Sequence, residues 1–127
     1  GSDMPEFVWI GIGGFVGANL RYLVQTWTAE RWGASFPYGT LLVNVTGSFI
    51  LGLLITLVTE RVAIAPHWRA GMVVGLLGGY TTFSSFTVET LSLVQAGRWL
   101  PAGLYLAGNV GLGLVFAFLG VILARVL

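Results

Sequence analysis

The chemistry in this chain concentrates in one run, Gly78-Gly-Tyr-Thr-Thr-Phe-Ser-Ser-Phe-Thr-Val-Glu-Thr90. Adjacent glycines carry excess backbone entropy, and the hydroxyls that follow compete for backbone hydrogen bonds, so a helix weakens here. In a helix resumed after such a break, Phe83 and Phe86 are three apart and share a face, with Thr82, Ser85 and Glu89 on a neighbouring polar stripe. An aromatic ring has a negative face and a positive edge, so a ring pair can offer edges to an anion while staying apolar to cations. The Asn44 amide and the hydroxyls add conventional donors, and the set suits a small, strongly hydrated anion. The alternative is an ordinary aromatic pair, packed in the protein or facing lipid. Unwinding between Gly78 and Thr81 would also free carbonyl oxygens able to hold a hard cation. From the residues alone, a simple kink with its carbonyls satisfied by neighbouring hydroxyls is the better account of that stretch.

The medium makes the break consequential. The 127-residue chain is 56% hydrophobic and 9% charged, against about 25% charged in a soluble protein, and its mean hydropathy is +0.88. It reads as an integral membrane protein. Lipid cannot satisfy free N–H and C=O groups, so irregular backbone at membrane depth survives only where protein buries it or a watery cavity wets it. The run therefore reads as an ion or substrate site. There is no cysteine and one histidine, His67, which excludes disulfides, thiolate sites and multi-His metal sites. No nucleophile and base can be paired from this inventory, so an enzyme is not expected. A formal charge of +1 with no basic block gives no sign of nucleic-acid binding.

Positioning these residues falls to four apolar stretches, each near the roughly 20 residues a helix needs to cross a bilayer. The sequence predicts an all-α integral membrane fold with spans at about 5–30, 38–60, 67–97 and 101–125, the third broken near Gly78–Thr82. Residues 4–127 form one membrane domain. Residues 1–3 read as an expression scar, with Met4 as the native start and no cleavable signal peptide. Pro5 suits a first helical position, and Pro37, Pro66 and Pro101 mark the later starts. Trp9, Trp27, Trp32, Trp68 and Trp99 fall near span ends, as an aromatic belt requires. Small residues four apart set a groove along one face of three helices: Gly13 and Gly17; Gly71, Gly75 and Gly79; Gly103, Ala107 and Gly111. Each series predicts a close packing seam. The Gly11–Gly17 stretch fails the spacing of a dinucleotide fingerprint and lacks its strand.

Charge gives no firm orientation. Five arginines at span ends divide as Arg61, Arg69 and Arg125 on one side and Arg31 and Arg98 on the other. Arg21 makes the sides equal if it snorkels toward the first loop. With almost no positive-inside bias, copies are expected to insert both ways and pair as an antiparallel homodimer. The alternative is one orientation, fixed by a partner or a weak bias. Polar groups inside spans need partners or tasks. Asn19, Ser48 and Asn109 are expected to bond between helices. Glu89, near the water end of its span, is open to three readings: solvated, paired with an arginine, or part of a pathway.

The sequence resembles the small bacterial fluoride channels of the Fluc (CrcB) family over essentially its full length. The resemblance rests on Gly13-Gly-Phe-Val-Gly17-Ala-Asn-Leu-Arg21-Tyr, on Gly39-Thr-Leu-Leu-Val-Asn44-Val-Thr-Gly47-Ser48, and on the Gly78–Thr90 run, in that order. Where the family often has Thr, this chain has Ser85, which keeps the donor. The resemblance implies an antiparallel, dual-topology homodimer in the bacterial cytoplasmic (inner) membrane, multi-pass, with two fluoride pores each built from both subunits. Carried over by position, Phe83 and Phe86 would line the pores with ring edges and Asn44 would donate to fluoride. Thr82, Ser84, Ser85 and Glu89 would form a polar track, with Tyr105 bonding nearby and Arg21 as a structural or vestibule charge. Gly78 and Thr81 match carbonyls that hold a central, non-transported Na+ on the dimer axis, which replaces the simple kink as the expectation. Fluoride would leave the cytoplasm passively, down its electrochemical gradient.

Two competitors share parts of this pattern. A small multidrug-type proton-coupled antiporter also has four spans and dual topology, but it needs a membrane-embedded carboxylate. The first span has none, and Glu89 is the one acid well inside a span. A structural subunit of a larger complex would explain the glycine series but not the clustered hydroxyls. Dual insertion predicts that single cysteines introduced at either face react with an impermeant reagent from outside intact cells. Reaction at one face alone would reject it.

Overall fold

In a computed structural model describing residues 4–127, every regular element is helical. The expected scar, 1–3, lies outside the described residues. Helix α1 (Glu6–Trp32) starts one residue later than expected, with Pro5 as its flanking residue and Glu6 at the positive end of the helix dipole. Its 27 residues rise about 40 Å, more than a hydrocarbon core of about 30 Å. Gly33, at φ 80°, ends it in a conformation that side chains resist. Helix α2 spans Tyr38–Arg61, and the last helix, α5, spans Trp99–Val126. With α1, these are the helices long and apolar enough to cross a membrane. Because α5 begins at Trp99, Pro101 sits in its first turn, where a missing N–H leaves no bond unmade.

The third stretch is two helices. Helix α3 covers 66–80 and α4 covers Phe83–Gln95, separated at Thr81 and Thr82, both extended. The expected break is therefore present, and it falls just after the glycine pair. Gly97, at φ 74°, closes α4. Its N–H reaches the Val94 carbonyl at 2.9 Å and the Arg98 N–H reaches that of Leu93 at 2.9 Å, a left-handed helix end that suits glycine.

Packing follows the glycines. α1 lies along the 70–77 part of α3, which winds with π-helical bonding, and α2 lies along the Gly113–Val126 part of α5. A Cβ at Gly13 would strike the Gly71 carbonyl and one at Gly17 that of Leu76. Across the same seam, a Cβ at Gly75 would meet the Ile10 carbonyl at 2.5 Å and one at Gly79 that of Gly14 at 2.9 Å. These two expected series thus form one backbone-to-backbone contact. The α5 series does not: Gly103 and Gly111 have nothing within 4 Å in the chain. A different α5 face turns inward, where Gly120 meets the Phe49 carbonyl and Gly52 of α2 meets that of Ala117. Helix α5 carries small residues on two faces, and spacing does not say which is covered.

The aromatic residues gather at the two ends as expected. Trp9 packs on His67 and Trp68, with ring centroids 4.8 and 5.7 Å away. At the other end Trp27, Trp32 and Tyr38 form an edge-to-face chain, with the Arg31 guanidinium 4.8 Å over Trp27. An exposed Glu60–Arg125 ion pair at 3.2 Å joins the ends of α2 and α5.

Gly17→Ala should force the α1 and α3 backbones apart, at a cost of about 1–3 kcal/mol for overpacking. The detergent-solubilised protein should show a lower Tm. Gly11→Ala, where nothing lies within 4 Å, should hold or raise it; an unchanged Tm for Gly17→Ala would contradict the seam.

Candidate ion-binding site at the broken helix

An unbroken helix would give the Thr82 N–H to the Gly78 carbonyl and the Ser85 N–H to that of Thr81. Neither bond forms here. The Thr82 N–H donates to Asn44 Oδ1 at 2.8 Å, and Asn44 Nδ2 donates back to the Thr82 carbonyl at 3.0 Å. One side-chain amide from α2 thus satisfies both backbone groups of the extended residue. The Ser85 N–H donates to Thr82 Oγ1 at 3.2 Å, which makes Thr82 the N-cap of α4. Thr81 closes α3, its N–H and its hydroxyl both donating to the Leu77 carbonyl. Arg21 Nε donates to the Gly79 carbonyl at 3.2 Å. Arg21 therefore turns in toward the break instead of snorkelling to the first loop, because a freed carbonyl gives its charge a partner at membrane depth.

This redistribution leaves the Gly78 and Thr81 carbonyls without their helical donors. Among the described residues no group of three or more His, Asp or Glu side chains could hold a metal ion. Freed carbonyls at the break are the ligands suited to a hard cation. Close approach also matters on the α2 side. A Cβ at Gly47 would collide with the Thr81 methyl, and Tyr80 shares a 2.9 Å hydrogen bond with Thr46.

Beyond the break, Phe83 and Phe86 stack edge to face, with centroids 5.7 Å apart and planes at 65°. Phe86 is 7% exposed and leans on Tyr105, which Phe36 meets from another side; Phe83 is 75% exposed. Both rings line a cavity of about 280 Å³ with Asn44, Ser48, Thr82 and Asn109. The remaining Asn44 Nδ2 hydrogen goes to Asn109 Oδ1 at 2.8 Å, so Asn109 bonds between helices as expected. Asn19 does not; it bonds the Phe15 carbonyl of its own helix at 2.7 Å, the nearest free lone pair one turn back.

A larger cavity, about 380 Å³, is lined by Gln25, Thr28, Thr40, Ser85 and Glu89 among others. Glu89 Oε1 accepts from Thr40 Oγ1 at 2.7 Å and from the buried Tyr105 hydroxyl at 3.0 Å. Gln25 Nε2 in turn donates to Thr40 Oγ1 at 3.1 Å. Glu89 is thus held by neutral donors and makes no ion pair with an arginine. It also faces a cavity of about 270 Å³ that it shares with Ser92 and Arg98. Ser84 is exposed, with a long 3.4 Å contact to Thr82, and lines none of these cavities. The site can offer a small anion hydroxyls and ring edges, beside an Asn44 amide whose two hydrogens are bonded to Thr82 and Asn109.

The family described as CrcB-like protein, Camphor Resistance (CrcB), matches residues 8–121. The chain belongs to this CrcB-like family. A relative named Fluoride-specific ion channel FluC, from Roseiflexus sp. (strain RS-1), is 53% identical over 118 residues, 93% of this chain and 95% of the relative. A protein of the same name from Sulfurihydrogenibium sp. (strain YO3AOP1) is 47% identical over 124 residues, 98% of this chain and 100% of the relative. Another, from Chloroflexus aurantiacus (strain ATCC 29366 / DSM 635 / J-10-fl), is 44% identical over 122 residues, 96% of this chain and 97% of the relative. With its long apolar helices, this CrcB-like chain is a multi-pass membrane protein.

Three residues around these cavities went unremarked or underused in the sequence reading. Thr40 lies one turn before Asn44 on α2, and Asn109 one turn after Tyr105 on α5, so i,i+4 spacing from the two recognised residues would have found them. Gln25 has no such local signal; only tertiary packing brings α1 to Thr40.

Replacing Asn44 tests its capping role. Asn44→Ala strands the Thr82 N–H and carbonyl, at about 1–3 kcal/mol for each buried unpaired group. Asn44→Asp keeps an acceptor for the Thr82 N–H but sets a carboxylate oxygen against the Thr82 carbonyl and Asn109 Oδ1, so its Tm should fall as well; Tm values equal to the parent's in both variants would remove the cap from the account.

Proposed function

We propose that this chain is a fluoride-selective channel that lets cytoplasmic fluoride leave passively through two pores per antiparallel homodimer, in the bacterial inner membrane. The observation that carries this reading is the edge-to-face Phe83–Phe86 pair sharing one cavity with the Asn44 amide. It stands in a chain whose relatives are named Fluoride-specific ion channel FluC. The function is transport down a gradient; no enzyme chemistry is needed.

Fluoride would enter a wet vestibule beside Glu89, Thr40 and Ser85 and exchange water for hydroxyl donors. Asn44 and the edges of Phe83 and Phe86 would then carry it past the break, with Thr82 along the way. Neutral donors suit this task, because binding must stay weak enough for exit. Tyr105 and Thr40 hold the Glu89 carboxylate in place, and Ser84 would meet the path from the exposed side. Glu89 accepting from two hydroxyls is the setting of an anchored carboxylate, which gives the proton-coupled antiporter no support.

Pairing of two copies draws support from the nearly even arginine distribution, from exposed Phe83, and from the open Gly103 and Gly111 face. The Gly78 and Thr81 carbonyls, released from the helical ladder, would be hard oxygen ligands for a structural Na+ between the proposed copies. Such an ion would supply positive charge that ties the two breaks together. Arg21 would brace the same region through Gly79.

Purified protein in liposomes loaded with potassium fluoride, with valinomycin added, should release fluoride quickly and release chloride poorly from a parallel sample, with no proton gradient imposed. Phe83→Ile and Phe86→Ile should cut fluoride flux sharply while leaving a folded dimer. Unchanged flux in both would sink the aromatic-edge role, and no fluoride release from folded parent protein would sink the function.

A further inference from the structure

The hydrogen bonds around Asn44 have only one consistent direction. The Thr82 N–H can only donate, so Oδ1 of Asn44 must face it, and Nδ2 must face both the Thr82 carbonyl and Asn109. Asn109 must then present Oδ1 to Asn44, which turns its own Nδ2 onto the Tyr105 carbonyl at 3.0 Å. One backbone N–H at the break thereby fixes the polarity of two side-chain amides and reaches α5. Both Asn44 amide hydrogens are committed within the protein. One belongs to the cap and cannot be withdrawn without stranding the Thr82 carbonyl. The other ends on Asn109 Oδ1, beside Phe83 and Phe86 in the same cavity.

We propose that Asn109 sets how tightly this site holds its anion, because its Oδ1 competes with the anion for the second Asn44 N–H. This inference rests on the fluoride reading. An anion takes that hydrogen through a stronger, charge-assisted bond, but it must leave the Asn109 oxygen unpaired to do so. The Tyr105 bond keeps Asn109 in place, 8% exposed, ready to take the hydrogen back. A donor site that might trap fluoride becomes one that returns it. Asn109 is a positioning residue in this scheme, acting through Asn44.

The test is fluoride efflux from liposomes across a range of fluoride concentrations, for parent protein and for Asn109→Leu, Asn109→Ser and Asn109→Asp. Leucine has no acceptor and serine is too short to reach Asn44, so in both the half-saturating fluoride concentration should fall about three- to tenfold. Maximal flux should fall with it as exit slows. Asn109→Asp keeps the acceptor and adds negative charge, and should raise half-saturation. A merely structural Asn109 would lower Tm and the active fraction without moving half-saturation, and that outcome overturns the proposal. If Asn109→Leu does not fold, the smaller Asn109→Ser decides by the same readout. Parent protein that conducts while neither variant shifts overturns this inference alone; parent protein that releases no fluoride overturns the function and this inference together.

Discussion

A helix that stops inside a bilayer has to find partners for its backbone, and here one side chain supplies them. The Asn44 amide occupies the N–H and the carbonyl of Thr82 at once, at 2.8 and 3.0 Å. Lipid offers no substitute for these bonds. The features immediately around the break presuppose them. The freed Gly78 and Thr81 carbonyls, the Thr82 cap on α4 and the placing of Phe83 at the first position of that helix all follow from the chain turning extended at this point. The bonds also impose a geometric demand on α2, which must stay within hydrogen-bond reach of the break. Glycine contacts meet that demand: Gly47 lets Thr81 and Tyr80 come close, and Gly52 with Gly120 locks α2 to α5.

Formal charge is scarce near the site, and its use is selective. Arg21 is spent on a backbone carbonyl, and Glu89 on two hydroxyls. Neither is left as a bare, unpartnered charge beside the cavities. What the cavity beside the break offers instead is dipoles: an amide, hydroxyls and the rims of two rings. In a low-dielectric setting a full positive charge would hold an anion strongly, whereas dipoles give graded attraction. In the proposed channel, such an arrangement would favour passage over capture.

Much of this was legible in the residues. Gly78–Gly79 followed by hydroxyls announces a break wherever it stands, because both residue types weaken helices by local mechanisms. The Phe83–Phe86 pair follows from helical spacing, and the grooves on α1 and α3 from glycines four apart, whereas the meeting of those two grooves came from the fold. The misses share a cause: each depended on which way an element faces in three dimensions. Small residues on α5 mark two faces, and only packing chose between them. Asn19 found its own helix because no other reached it. Arg21 has a stem long enough for either the loop or the break, and the deciding factor, a carbonyl at Gly79 without a ladder partner, is a product of the fold. Gln25 joined the Glu89 network only because α1 passes beside Thr40.

The unequal exposure of the two phenylalanines has a thermodynamic consequence. Phe86 is 7% exposed within the single chain, whereas Phe83, at 75% exposure, has little there besides the Phe86 ring to restrict its rotational freedom. In the proposed pair of copies, that freedom would be surrendered only when the second copy arrives, so ordering the ring wall and associating the subunits would be one linked equilibrium. Ion discrimination would then vary with the density of the protein in the membrane as well as with its sequence.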